Sequence, residues 1–171
     1  MTSVAVNDSS DSSWSPNLFG SGSVSHPSLP LGKAGVSGSA PDLFDQPTDV
    51  LVAPNGDIFV SDSHRNGKNN RIVRFTKDGT FIKRWGKKGS GRGEMSEPHT
   101  IAMDSRGRLF VGDRENNRIA SARDGKVSAF IEDSESTAPD HAGAEALGVD
   151  ARGNVYGAVV RRQMLERHVK K

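Results

Sequence analysis

The segment PTDVLVAPNGDIFVSD at Pro47–Asp62 returns as PHTIAMDSRGRLFVGD at Pro98–Asp113, shifted by 51 positions. Internal repetition at this spacing restricts the fold more than any other feature, because each copy must be one structural unit that buries its apolar face against its neighbour. Pro, Gly, Phe, Val and Asp coincide between the copies, and alternate positions stay apolar: Val50 and Ile101, Val52 and Met103, Ile58 and Leu109, Val60 and Val111. A period of two means strands with one buried face. Asn55-Gly56 and Arg106-Gly107 stand between the paired strands, where a hairpin turn needs a positive φ.

The copies continue. NNRIVRFTKDGTFIKRW (Asn69–Trp85) lies over NNRIASARDGKVSAF (Asn116–Phe130), and the offset drops to 47, so the first copy carries four extra residues in its His64–Lys68 loop. Each copy then holds four strands. A third, weaker copy starts near Glu145 with EALGVDARGNVYGAVV, turning at Arg152-Gly153. Units of about 45 to 50 residues with four short strands read as β-propeller blades. Only RRQMLERHVKK could pass as a helix, and its place in the third repeat favours a strand. The expectation is an all-β chain of about two and a half to three antiparallel blades, at about 45–92, 93–131 and 144–171, within a propeller segment over 41–171. Three blades do not close a ring of the usual four to eight. The chain is therefore expected to be a shortened relative of a larger propeller, or to close by association, with a homodimer as one way of doing so. The eight alternating apolar residues are expected to face the core between blades.

Residues 1–40 are rich in Ser, Gly and Pro and match no repeat. So little apolar surface does not offset the entropy of ordering a chain, and a disordered arm is expected there. Trp14, Leu18 and Phe19 read as scattered apolar residues, with a short docking motif as the alternative. The opening MTSVAVNDSSDSSWSP has neither a basic start nor an apolar stretch, and so does not read as a signal peptide. No run of about 18 apolar residues predicts a membrane helix. The absence of Cys excludes disulfide scaffolds and thiol catalysis. With 23 Lys+Arg against 21 Asp+Glu, the formal charge of +2 argues against a dedicated nucleic-acid binder. The basic string Lys83, Arg84, Lys87, Lys88 and Arg92 has only Trp85 interleaved and reads as a solvated loop.

The pattern P-x-x-V-x-V-x-x-x-G-x-I-F-V-x-D, followed by N-N-R-I and D-G, resembles the NHL repeat. The longer strings FDQPTDVLVAPNGDIFVSD, RIVRFTKDGTFIKRWG and GEMSEPHTIAMDSRGRLFVGDRENNRI resemble the peptidyl-α-hydroxyglycine α-amidating lyase family, with Pro98-His99 and the DREN string at Asp113–Asn116 as its most telling parts. The resemblance is dense over roughly residues 31 to 131 and weaker beyond. It implies a six-bladed propeller that cleaves peptidyl-α-hydroxyglycine into a peptide amide and glyoxylate. It also implies an axial zinc held by three His, a Tyr and Arg residues beside it, and a nearby structural calcium.

Carried over by position, His99 falls on the second zinc His and Arg114 on an active-site Arg. His64 falls where animal members have a Tyr, and Glu145 where they have the third zinc His. The calcium carboxylate falls on Ala146, so calcium is not expected. The first zinc His and a further Arg belong to blades with no counterpart here. By resemblance, then, His64 would act as base, Arg114 would hold a small peptide substrate, and His99 with Glu145 would offer a zinc two ligands. Catalytic zinc takes three protein ligands plus water, which a single chain does not supply by this count. A non-catalytic binding or assembly module is the competing reading. Asp62 and Asp113, with Arg71 and Arg118, recur in each copy and are expected to make structural hydrogen bonds inside each blade.

Overall fold

The computed structural model describes residues 29–65, 67–132, 143–160 and 162–169. Eleven strands form three antiparallel sheets. The first holds β1 (Pro47–Val52), β2 (Ile58–Asp62), β3 (Arg71–Phe75) and β4 (Phe81–Trp85) in sequence order. The second holds β5 (Pro98–Met103), β6 (Leu109–Asp113), β7 (Arg118–Arg123) and β8 (Lys126–Glu132). The third pairs β9 (Ala146–Val149), β10 (Val155–Val159) and β11 (Met164–His168). The strand reading of the last segment holds, because β11 pairs with β10 over its whole length. These sheets are propeller blades, and their first strands β1, β5 and β9 lie against one another.

The hairpin turns form as the sequence dictates. Gly56, Gly107 and Gly153 have φ of 87°, 74° and 85°. In the second and third blades an Asp tightens the turn: Asp104 Oδ1 accepts the Arg106 and Arg108 amides, and Asp150 Oδ1 those of Arg152 and Asn154.

Two seams of core join the blades. Leu51, Phe59, Ile72 and Trp85 of the first meet Ile101, Leu109, Val111, Ala120 and Phe130 of the second. Phe110 and Ile119 of the second meet Leu147, Val149 and Val155 of the third. The repeat-equivalent residues Ile101 and Leu147 thus both face the preceding blade.

That rule explains where the expected core fails. Val50 and Val52 are 61% and 66% exposed, whereas their equivalents Ile101 and Met103 pack in the seam. Among the described residues no sheet lies on that face of the first blade. Its middle is covered instead by Leu31 and Phe44, which pack on Val60, Val73 and Phe75.

This cover also moves the expected boundary of the N-terminal arm. Residues 1–28 lie outside the described residues, but from Leu31 the chain belongs to the same compact unit as the blades. Ser37 bridges to Phe44 just as Lys88 bridges to Met95 one repeat later, so the loop that opens each blade is itself part of the repeat. The low-complexity composition of residues 31–40 hid this, because apart from Leu31 the loop is held by hydrogen bonds to its carbonyls, which leave no hydropathy signal.

The two fates of the alternating residues lead to opposite expectations. Val60→Asp places an unpaired charge under Leu31 and Phe44 and is expected to cost several kcal/mol, of order 3–5. Val50→Asp on the open face is expected to stay within about 0.5 kcal/mol. Urea unfolding of both variants checks this, and an equal loss at Val50 would mean that the face is covered.

Candidate functional site

Each of the first two blades opens with the same local geometry. Pro47 and Pro98 stand first in their strands, where a missing N–H is tolerated. The preceding residues, Gln46 and Glu97, take positive φ of 71° and 59°. Immediately after each Pro the register slips, leaving Thr48 and His99 outside the ladder. Such a bulge re-aims a side chain, and here it swings His99 toward the third blade. His99 Nδ1 lies 3.1 Å from the Glu145 carbonyl and Nε2 lies 3.5 Å from Glu145 Oε2.

Arg114 follows β6 in a single 3-10 turn, Arg114–Asn116, which ends at Asn117 in the left-handed region with φ 51°. Its backbone is pinned on both sides: its amide donates to the Glu97 carbonyl and its carbonyl accepts the Gly143 amide. A Cβ at Gly143 would lie 3.0 Å from that carbonyl, tighter than an ordinary contact, so the close approach favours glycine. The guanidinium reaches three carboxylates. Nε donates to Glu145 at 2.7 Å, and Nη1 donates to Glu97 at 3.0 Å and to Glu115 at 2.8 Å.

The four residues selected from the sequence, His64, His99, Arg114 and Glu145, therefore meet at one end of the inner strands. The His64 and His99 rings have centroids 5.4 Å apart, tilted by 59°. A fifth residue joins them that the sequence did not single out. Glu97 is buried, accepts the Arg65 amide at 3.0 Å on Oε1 and gives Oε2 to Arg114. Its own amide donates to Asn70. His64 Nδ1 lies 3.0 Å from Glu97 Oε1, an ion-pair distance but off the hydrogen-bond axis. The signal for Glu97 was slight, since the repeat puts Gln46 at its place and so showed no shared acid.

Burial pushes the Glu97 carboxyl up, but the Arg65 amide and the charges of Arg114 and His64 outweigh it and hold the group below the usual glutamate range. Burial likewise works against the Arg114 charge, and the bond to Glu145 with the fields of Glu97, Glu145 and Glu115 raises its pKa instead. A polar cleft of about 310 Å³ opens beside them, lined by Arg65, Asn70, Lys88, Glu97, Arg114 and Glu115.

The donors do not fit a zinc. His99 Nε2 and Glu145 Oε2 offer two donors 3.5 Å apart, and among the described residues no group of three His, Asp or Glu could hold a metal. Glu145 already carries the Arg114 guanidinium, whose charge would face the ion at close range.

The NHL repeat family model matches residues 95–120, a span that contains the His99 bulge, Glu97 and the Arg114 turn. The chain carries an NHL repeat there, and proteins it is similar to include amidating enzymes. It is 44% identical over 99 residues to peptidyl-glycine alpha-amidating monooxygenase of Mus musculus, covering 54% of this chain and 10% of that protein. It is 34% identical over 102 residues to peptidyl-alpha-hydroxyglycine alpha-amidating lyase 1 of Drosophila melanogaster, covering 54% and 18%. NHL repeat-containing protein 3 of Homo sapiens is 36% identical over 91 residues, covering 52% and 26%. The chain thus spans between 10% and 26% of the length of these relatives. The WD40 β-propeller domain of Doa1 superposes with a TM-score of 0.53 at 8% identity, covering 73% of this chain and 37% of that one. A gluconolactonase of Xanthomonas campestris superposes at 0.51 with 17% identity, covering 80% and 50%. These likenesses show the propeller fold.

Two variants test the cluster. Glu97→Ala leaves Arg114 short of a partner and the Arg65 amide unmet, and is expected to cost about 2–4 kcal/mol. Glu115→Ala removes a half-exposed partner and is expected to cost under about 1 kcal/mol. Because the folded pKa of Glu97 lies below its unfolded value near 4.3, its contribution is complete above that pH and is lost as pH falls through the lower folded value. Acid unfolding of Glu97→Gln should accordingly lack this part of the decline. A wild-type slope in the variant would remove Glu97 as its source.

Proposed function

We propose that this chain is an amidating-lyase-like NHL propeller in which the site has become an electrostatic clamp, so that the single chain serves as a binding module rather than a lyase. The facing of the Arg114 charge by three carboxylates, Glu97, Glu115 and Glu145, carries this reading.

Cleavage of a peptidyl-α-hydroxyglycine requires a group to take the hydroxyl proton, a group to hold the substrate carboxylate and a means of polarising the hemiaminal. His64 stands at the edge of the cleft with the Glu97 carboxylate behind it, which suits the first task. Arg114 would perform the second through Nη2, which lies outside its three ion-pair bonds, or in place of the half-exposed Glu115, but Glu97 and Glu145 would stay on its other nitrogens and oppose a further carboxylate. Displacing Glu97 would strand a buried carboxylate, and displacing Glu145 would free the tether that ties the second blade to the third. Both cost more than an exposed ion pair returns. Zinc would meet the third need, but the donors described do not fit it.

The test uses the purified 171-residue chain and a peptidyl-α-hydroxyglycine substrate. No glyoxylate above the uncatalysed rate, and no tightly bound zinc, are the expected results. Turnover that follows bound zinc and is lost in His99→Ala, in a monomer or a dimer, overturns the reading.

A further inference from the structure

A cleft of about 300 Å³ opens in the seam between the first two blades, beside the turns that join β1 to β2 and β5 to β6. It lies at the opposite end of these strands from His99 and Arg114, and the lyase-like reading has no bearing on it. Its wall is aromatic. Phe59 and Trp85 meet edge to face with ring centroids 6.3 Å apart, and Met103 lies beside them. The Trp85 indole N–H is buried without a hydrogen-bond partner among the described residues. Two cations stand by these rings: the Arg74 guanidinium carbon is 5.3 Å from the centre of Phe59, and Lys83 Nζ is 5.8 Å from that of Trp85.

The fold does not demand this set. At the same register of the second blade, Ser121 and Ala129 stand where the first has Arg74 and Lys83, and Ile131 where it has Trp85. The second blade forms the same four-stranded sheet without them.

Nor are the charges settled within the chain. Arg74 donates from Nε to Asp57 at 2.9 Å, while its Nη1 lies 3.5 Å from Asp124 Oδ1. Lys83 gives one hydrogen to the Asp124 carbonyl and has that same Oδ1 at 4.0 Å. Both separations exceed hydrogen-bond length, and the Asp124 side chain is 75% exposed. A carboxylate from the second blade thus sits between two cations of the first without bonding to either. It marks a place that attracts an anion, and exposed pairs of this kind hold their own partner weakly.

We infer that this cleft binds a small planar aromatic acid. Its ring would lie on the wall of Phe59, Trp85 and Met103, and its carboxylate would take the place of Asp124 between Arg74 Nη1 and Lys83 Nζ. The volume is at the small end of ligand pockets, which suits one or two fused rings. An aromatic cation does not fit, because it would meet two positive groups and displace the one loosely held carboxylate.

The probe is naphthoate, titrated into the full chain by isothermal titration calorimetry. Saturable binding is expected, several-fold weaker for the uncharged naphthamide and absent for acetate, which has the charge without the ring. Lys83→Gln keeps most of the stem and removes the charge, and should weaken binding about two- to five-fold. Asp124→Asn should tighten it, because the competing carboxylate is gone, and Asn tolerates the left-handed backbone found there, with φ of 49°. Damage to the fold would not produce that gain, so Asp124→Asn decides even should Lys83→Gln fold poorly. Absence of saturable binding, equal binding of naphthamide, or no gain in Asp124→Asn overturns the inference.

Discussion

A buried carboxylate at the end of the second strand sets the geometry of each of the first two blades. Asp62 accepts the Asp45 amide on one oxygen, and the Asn69 amide group and Arg71 Nε on the other. Asp113 does the same with the Ser96 amide, Asn116 and Arg118. The Arg then spends its remaining donors on carbonyls of the incoming loop, Ser39 and Leu43 in the first case, Ser90 and Glu94 in the second. One carboxylate thus ties the loop that opens a blade to the strands in its middle. Burial pushes the Asp113 carboxyl up against the pull of Asn116, the Ser96 amide and Arg118. A buried pair of this kind adds little net stability but is costly to break, so it acts mainly on which geometry is allowed.

The functional cluster depends on that clasp. With the loop fixed, the residue before each Pro must enter its strand at positive φ, and the following residue is forced out of the ladder. In the first blade the results are Gln46 and Thr48, and Thr48 bonds to the Pro98 carbonyl and the Ser61 side chain as an inner-strand link. In the second blade the same backbone presents Glu97 and His99. A structural device common to both blades therefore aims two ionisable side chains at a single place in one of them.

Much of this was legible in the sequence, for physical reasons that differ by residue. Strands and turns could be read because period-two alternation and a glycine at positive φ are local. The clasp could be read because it repeats. His64, His99, Arg114 and Glu145 could be selected by resemblance, and they do converge. Val50 and Val52 were misjudged because burial depends on the neighbouring blade, which no alternation pattern encodes. Residues 31–40 were misjudged because a loop held by Arg71 through carbonyl groups has no hydropathy signature. Glu97 escaped because its importance lies in a backbone turn and in partners 17 to 33 residues away on either side, none of which a repeat with Gln at that place suggests.

The cluster follows from one asymmetry among otherwise equivalent repeats. Glu145 opens the third blade where His99 stands in the second, and it binds Arg114 instead of standing apart from it. That bond carries the seam between these blades at its inner end, where β5 and β9 meet. At the outer end the seam is apolar, with Phe110 and Ile119 packed on Leu147, Val149 and Val155. Glu145, one of the three carboxylates that face the Arg114 charge, is thus also the residue that registers the third blade against the second.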